Sequence, residues 1–263
     1  MSIISVVLKH APSRLPFVEG FFRVAGSILI ACSSASAFAQ SFTENFDNIT
    51  LLTGNDWFMQ NNSNPPGSTG WFQGYPASAV PNPGPFNAYN GADNAYIAAN
   101  FQNTSAMNDG TISNFLLTPN RTLRNGDVFQ FYTRKPTVGP GFDFPDRLEV
   151  RMSTNGSSTN VGPGVLGVGD FTTLLLSINP DLVVGVYPQV WTQFTITISG
   201  LTAPTSGRLA FRYFVPFAGS NGRNSDYIGI DNVVYTAYVC PALTISPNTL
   251  PGASFGQLYS QSF

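Results

Sequence analysis

The stretch at residues 224–235 decides the fold and reads Asn-Ser-Asp-Tyr-Ile-Gly-Ile-Asp-Asn-Val-Val-Tyr. Its apolar residues Ile228, Ile230 and Val233 follow the pattern of a β-strand that is buried on one face. Asp231 lies within this apolar run, and a buried carboxylate without a partner is too costly to persist. The sequence therefore predicts a core strand in which a backbone cap, an arginine or a metal ion holds Asp231.

Similar short segments with alternating or apolar residues recur along the chain. Asn-Gly, Pro and Ser-Thr-Asn turn residues separate them, and no segment has a sustained helical period with caps. Residues 171–178 have a helical alternative, but the Asn-Pro that follows favours a strand. We predict an all-β fold, a two-sheet β-sandwich of jelly-roll type, with about nine or ten strands. The main predicted strands span residues 94–100, 111–117, 128–134, 147–153, 192–198, 208–215 and 227–235.

The composition indicates a folded domain with many turns. Hydrophobic residues make up 43% of the 263 residues and aromatic residues 13%, which is too apolar for a disordered chain despite 25 glycines and 20 prolines. The formal net charge is −2, and no basic cluster occurs, which argues against binding to nucleic-acid phosphates. The length allows one large all-β domain and a further fragment.

The first 39 residues have the pattern of an export signal. Basic residues precede the apolar run at residues 24–31, and Ala37-Phe38-Ala39 supplies the small residues of a cleavage site before Gln40. The apolar run is too short to span a membrane, so we expect no transmembrane segment. An alternative is lipoprotein processing, because residues 29–32 read Leu-Ile-Ala-Cys and would make Cys32 the lipidated residue. Either route predicts an exported protein that is secreted or associated with the cell surface.

Removal of the signal would leave few residues for metal or nucleophilic chemistry. His10 is the only histidine, and Cys32 is one of only two cysteines, so the exported chain would keep Cys240 alone. An intrachain disulfide, a histidine-based triad and a zinc site with histidine ligands are then excluded. The composition thus points away from the best-known hydrolytic centres.

A long irregular stretch at residues 55–93 contains several aromatic residues among Asn, Pro and Gly. Loops of this length are usually functional or packed onto a sheet. The aromatic residues of this stretch either plug the edge of the sandwich or form a flat platform on which sugar rings stack. Trp57, Trp71 and Tyr75 are the candidate ligand-binding residues of the platform, which would extend to Phe86.

A domain boundary is predicted near residues 239–241. We expect a β-sandwich domain at residues 40–239. Leu243-Thr-Ile-Ser-Pro247 and Gly256-Gln-Leu-Tyr-Ser-Gln261 resemble the opening of bacterial immunoglobulin-like repeats, which often begin with a Pro-Asn-x-Leu-Pro turn. We expect residues 240–263 to form an incomplete domain or a tail, because one strand cannot close a sandwich.

Seven short motifs occur in order between Phe42 and Tyr238. They read Phe42-Thr-Glu-Asn-Phe-Asp47, Trp71-Phe-Gln-Gly74, Phe115-Leu-Leu-Thr-Pro119, Pro145-Asp-Arg-Leu-Glu-Val150, Tyr187-Pro-x-x-Trp191, Leu209-Ala-Phe-Arg-Tyr213 and Ile228-Gly-Ile-Asp-Asn-Val233. In this combination the chain resembles the choice-of-anchor J family of secreted bacterial surface domains, which is related in pattern to cleaved-adhesin and MAM-like jelly rolls. The resemblance implies an exported β-sandwich that acts at the cell surface.

The resemblance also implies a structural calcium site where the acid of the first strand meets the aspartate of the last. The matching positions here are Glu44 and Asp231, with Asp47, Asp93 and Asn232 as further candidate ligands. Calcium takes six to eight oxygen ligands, often from residues that are distant in sequence. The alternative is that Asp231 caps a turn or pairs with an arginine, either Arg212 or Arg147.

No residue is nominated for catalysis. Glu44 and Glu149 are the only glutamates after residue 39, and neither a Glu-x-Asp-x-Glu arrangement nor a Gly-x-Ser-x-Gly motif occurs. The predicted function is that of an exported, non-catalytic module for cell-surface or extracellular adhesion and recognition. Its expected partner is an extracellular protein or a glycan. The alternatives are a carbohydrate-binding module that uses the aromatic loop and a jelly-roll glycan hydrolase or lyase.

Overall fold

The computed structural model describes residues 41–139, 141 and 143–239. The predicted signal segment with Cys32, and residues 240–263 with Cys240, lie outside the described residues. No helix among the described residues has the length and apolar character that a membrane crossing requires.

Twelve β-strands form the domain, with three single-turn 3₁₀ helices between them. The strands are β1 (Phe42–Glu44), β2 (Phe58–Asn61), β3 (Phe72–Gln73), β4 (Ile97–Asn100), β5 (Gly110–Leu117), β6 (Arg121–Leu123), β7 (Val128–Arg134), β8 (Leu148–Ser153), β9 (Thr173–Ile178), β10 (Thr192–Thr197), β11 (Thr205–Ala218) and β12 (Tyr227–Thr236). The 3₁₀ helices are Ile49–Leu51, Thr53–Asn55 and Phe101–Asn103.

The strands form two six-stranded antiparallel sheets. Sheet A has the order β10-β7-β12-β4-β3, and β1 also pairs with β12. Sheet B has the order β2-β5-β11-β8-β9, and β6 also pairs with β11. The predicted two-sheet all-β sandwich is confirmed. Every long strand expected from alternation is present, and its bounds differ by a few residues at most.

Aromatic rings from both sheets fill the space between them. Phe129 and Phe131 on β7 are fully buried, and Phe211 on β11 packs against them at ring-centre distances of 5.5 and 4.9 Å. The alternate residues of β7 point to the outer face and are half-buried. This alternation is the strand period read directly from the sequence.

The segment at residues 55–93 is more ordered than the sequence indicates. It contains β2 and β3, and its later part lies on the outer face of sheet A, where Phe86 packs against Tyr96 and Trp191. Gly229 allows this approach, because an added Cβ there would lie 2.8 Å from the Phe86 ring. Phe86 therefore packs against the sheet, which agrees with the interpretation that the aromatic residues of this segment plug the sandwich.

Candidate functional site

Asp231 is fully buried on β12, at a point where the strand carries a β-bulge against β7. Its Oδ2 atom accepts hydrogen bonds from the backbone N–H groups of Tyr89 and Asn90 at 2.8 and 2.9 Å. Its Oδ1 atom accepts one from the N–H of Asn232 at 2.5 Å, and Asn232 has the left-handed φ of 47°. Asp231 therefore acts as a backbone cap that fixes the segment before β4 onto sheet A.

The two arginines considered as partners of Asp231 have other contacts. Arg212 forms an ion pair with Glu149, its cross-strand neighbour. Arg147 lies over the ring of Phe214. The backbone cap is thus the structural role found for Asp231, and the arginine pairing is wrong.

Two further acids lie near Asp231, around the end of β1. Glu44 pairs with Val233 across the β1–β12 ladder, and its Oε1 atom accepts a hydrogen bond from the N–H of Phe46 at 2.8 Å. Asp47 is exposed, and an added Cβ on Gly91 would lie 3.0 Å from its Oδ1 atom. Asp47 therefore adjoins the turn that Asp231 caps.

The electrostatics of this region reflect burial and like charge. Burial, with a smaller contribution from the charge of Asp47, raises the pKa of Asp231 to about 7, although hydrogen bonds from three backbone N–H groups oppose the shift. Burial also raises the pKa of Glu44, and Asp47 again adds to the effect. Asp47 is thus within electrostatic range of both acids.

These residues provide oxygen atoms of the kind that bind calcium, but the distances between them are larger than those in a formed calcium site. Carboxylate oxygens of three acids lie in one region, and the buried Oδ1 atom of Asn45 has no hydrogen-bond partner among the described residues. Within the described ranges, however, no three acidic, histidine or cysteine residues are spaced closely enough to hold an ion.

The two weaker metal candidates have local roles. Asp93 is exposed and accepts a hydrogen bond from the hydroxyl of Ser78 at 2.5 Å. Asn232 occupies the bulge beside Asp231. In the described part of the chain, neither side chain forms a hydrogen bond with Glu44 or Asp47.

The cap on Asp231 places a pair of tyrosines on the outer face of sheet A. Tyr89 follows the capped turn and stacks on Tyr132 of β7, with ring centres 3.7 Å apart and planes 15° from parallel. Their hydroxyl groups are joined by a hydrogen bond of 2.9 Å. Tyr89 remains 45% exposed. We call this stacked pair the tyrosine step.

Polar side chains surround the tyrosine step on the same face of the sheet. Gln193 of β10 lies directly opposite Tyr132 in the ladder and is exposed. In the next row Gln130 donates a hydrogen bond to Thr195 at 3.1 Å. Amide and hydroxyl groups therefore extend from the tyrosine step along β7 and β10.

The predicted aromatic platform needs correction. Trp57 is 3% exposed and Trp71 is 7% exposed, and both belong to the main core. Trp57 packs edge-on against Phe42 and Phe46, because β1 lies over it. The two tryptophans therefore cannot form an exposed stacking surface. Of the three candidates only Tyr75 is exposed, at 44%.

Sequence reasoning missed the tyrosine step for a clear reason. The alternation in β7 does indicate that Tyr132 faces away from the core, since Phe129, Phe131 and Thr133 are buried. Tyr89, in contrast, lies in an irregular segment, and its position depends on hydrogen bonds to Asp231, which is 142 residues away. No local pattern encodes that contact.

No protein-family model matches the chain, and no curated protein matches it significantly. Among solved structures, the chain is similar to the K1 cleaved adhesin domain of Lys-gingipain from Porphyromonas gingivalis W83, with 22% identity, 75% of this chain and 98% of that chain covered, and a TM-score of 0.47. The K3 cleaved adhesin domain of the same protein gives 19% identity, coverage of 74% and 98%, and a TM-score of 0.43. A family 11 carbohydrate-binding module from Clostridium thermocellum, in complex with a mixed-linked tetrasaccharide, gives 10% identity, coverage of 76% and 96%, and a TM-score of 0.36. Similarities at this level do not indicate what this chain binds.

Proposed function

We propose that this protein is an exported, non-catalytic β-sandwich module for adhesion or recognition at the cell surface or outside the cell, and that its ligand is a glycan. The observation that carries the proposal is the tyrosine step, an exposed stacked pair of aromatic rings beside a row of amides and hydroxyls. The signal pattern of residues 1–39 supports export. The choice-of-anchor J resemblance is in keeping with this role and stays a prediction.

The chemistry of the tyrosine step suits a sugar ring. The free face of Tyr89 can stack against the apolar C–H face of a sugar, because aromatic faces carry partial negative charge. Gln193, Gln130 and Thr195 can then exchange hydrogen bonds with the hydroxyl groups at the edge of the same ring. Tyr89, Gln193 and Thr195 are exposed on the outer face of sheet A, which favours recognition of a chain of sugars over enclosure of a small molecule.

The two glutamates that remain after the signal support a non-catalytic role. Glu149 is buried between two arginines and forms ion pairs of 2.7 Å with Arg151 and 3.3 Å with Arg212. Glu44 holds the N–H of Phe46. A glycosidase needs two carboxyl groups that face each other across a substrate cleft, and each of these glutamates instead has a structural partner.

We also propose that calcium stabilises the module through Glu44, Asp47 and Asp231. When bound, the ion would offset the mutual repulsion of the three carboxylates, and Asp231 would still cap the turn that precedes the tyrosine step. Calcium and glycan binding are thereby linked through Tyr89 and Asn90.

Glycan-array binding of the purified protein tests the ligand class. We expect binding to a subset of glycans, and we expect Tyr89→Ala or Tyr132→Ala to weaken it by roughly tenfold or more, since one stacking contact contributes about 0.5–1.5 kcal/mol and loss of the pair also disrupts the neighbouring polar groups. Tyr75→Ala tests the surviving residue of the predicted platform.

Tyr238→Ala is the matched control, because Tyr238 is 48% exposed and lies outside the tyrosine step. Its binding should equal that of the unmodified protein. Absence of glycan binding, or binding that survives both Tyr89→Ala and Tyr132→Ala, would contradict the proposed ligand class.

A further inference from the structure

A second surface lies between the segment after β9 and the end of β11. It is an open groove of about 410 Å³, within the range of about 300–1,000 Å³ that is usual for ligand sites. Leu182 and Val184 line one wall, Pro216 and Phe217 line the other, and Asp181 and Arg223 are its charged residues. We call it the Phe217 groove.

A β-bulge forms the wall of the groove that contains Pro216 and Phe217. The ladder between β11 and β5 shifts register between Pro216 and Ala218, and Phe217 takes a left-handed φ of 56° at this point. A bulky residue rarely adopts this conformation, and such strain concentrates at functional sites. The bulge turns Phe217 outward, so that it is 42% exposed, and the N–H of Asn224 donates to its carbonyl at 3.2 Å.

A buried asparagine stabilises the wall of the groove that contains Leu182 and Val184. Asn179 accepts a hydrogen bond from the N–H of Val183 at 2.8 Å and donates to the carbonyl of the same residue at 3.0 Å. This closed loop holds Leu182 at a left-handed φ of 52° and leaves Val184 62% exposed. The apolar side chains of both walls are therefore held at the surface by specific polar contacts.

Arg223 supplies the charge of the groove. Its guanidinium carbon lies 3.7 Å from the centre of the Phe217 ring, which holds the side chain over the wall. Among the ion pairs formed by the described residues, none includes Arg223. Asp181 interacts electrostatically with Arg147 outside the groove. Arg223 is thus a fixed cation that can accept an external carboxylate.

We propose that the Phe217 groove binds an extended peptide segment in which an apolar residue lies beside a carboxylate, with the apolar side chain between Val184 and Phe217 and the carboxylate on Arg223. This site is separate from the tyrosine step and does not depend on glycan binding. A sugar fits the groove less well, because the guanidinium of Arg223 covers the aromatic face on which it would stack, and the other walls are aliphatic or proline.

An array of short synthetic peptides tests this proposal. The array pairs each sequence that has Val, Leu or Pro next to Asp with the same sequence in which Asn replaces Asp. We expect the purified protein to prefer the Asp member of a pair. Arg223→Gln should remove this preference by weakening the Asp peptides by about tenfold, and should leave the Asn peptides unchanged.

Val184→Ser should weaken both members of a pair, whereas Val190→Ser should weaken neither. Val190 is a matched control, since it is 65% exposed and does not line the groove. Thermal unfolding of each variant verifies the fold. The proposal is overturned if no pair shows a preference for Asp, if Arg223→Gln leaves the preference intact, or if Val184→Ser abolishes glycan binding instead. Failure of the peptide proposal would not affect the glycan proposal, because the Tyr89 and Tyr132 variants are tested separately for glycan binding.

Discussion

Asp226 shows how burial beside other acids sets the charge of one residue. Its backbone N–H donates to Asp146 at 3.0 Å. Burial and the charges of Asp146 and Asp143 together raise the pKa of the Asp226 carboxyl to about 6, and the charge of Lys135 opposes this shift. Tyr213, the other titratable group in contact, donates its hydroxyl to Asp146. The folded protein therefore favours the neutral form of Asp226 more strongly than the unfolded chain does.

This shift predicts a pH dependence of stability. Because the folded-state pKa lies above the unfolded value of 3.8, the contribution of Asp226 is fully present below about pH 4 and is lost as the pH rises through about 6. Asp226→Asn stays neutral throughout. We expect it to match the unmodified protein near pH 4 and to exceed its free energy of unfolding by about 1–2 kcal/mol at pH 7.

Urea unfolding at a series of pH values provides the measurement, and Asp109→Asn, at an exposed acid, is the control. A variant difference that stays constant from pH 4 to pH 7 would show that the pKa of Asp226 is the same in the folded and unfolded states, which would contradict this account.

At the scale of the elements, a buried polar cluster joins the two sheets. Lys135, at the end of β7, is fully buried and lies 2.8 Å from Asp146 and 2.7 Å from Asp143. Asp146 precedes β8 and also accepts a hydrogen bond from Tyr213 of β11. The cluster thus connects strands of sheet A with strands of sheet B, and a single lysine balances its carboxylates.

Lys135→Met should be severely destabilising for this reason. Removal of the cation leaves Asp146 buried and without its charge partner, which we expect to lower the free energy of unfolding by about 3–5 kcal/mol. Arg223→Met, at an exposed cation that contacts the ring of Phe217, should change it by less than about 1 kcal/mol. Combination of Lys135→Met with Asp146→Asn should restore part of the loss, and equal losses in the single and double variants would contradict this account.

On the scale of the whole molecule, the acids near Asp231 come from both the first and the last strand of the domain. β1 contributes Glu44, the following turn contributes Asp47, and β12 contributes Asp231, so an ion held by all three would connect segments almost 190 residues apart in sequence. Such an ion binds only the folded state, and its binding free energy adds to stability.

Calcium at a concentration of about 100 times its Kd should raise Tm by roughly 5–10 °C relative to protein in chelator, since it adds about 2.7 kcal/mol. Differential scanning calorimetry measures this shift. Asp47→Asn should reduce it without loss of the cap on Asp231, and Asp109→Asn should retain it. If chelator leaves Tm of the unmodified protein unchanged, the calcium proposal is wrong.

The sequence determined the all-β fold class and the positions of the long strands along the chain. Strand alternation is a local property, so β7, β8 and β12 could be located from their own residues, and Asp231 could be recognised as a carboxylate in need of a partner. The Trp57 prediction failed because burial of a ring in an irregular segment depends on what covers it, and here β1 covers it.

Tertiary structure decided the surfaces. Tyr89 reaches Tyr132 only because Asp231 caps its backbone, and Phe217 reaches the surface only because a bulge shifts the ladder of β11. Both depend on contacts between residues far apart in the chain. Local patterns record whether a residue prefers a strand and which face it takes, whereas a binding surface depends on which faces the fold leaves uncovered.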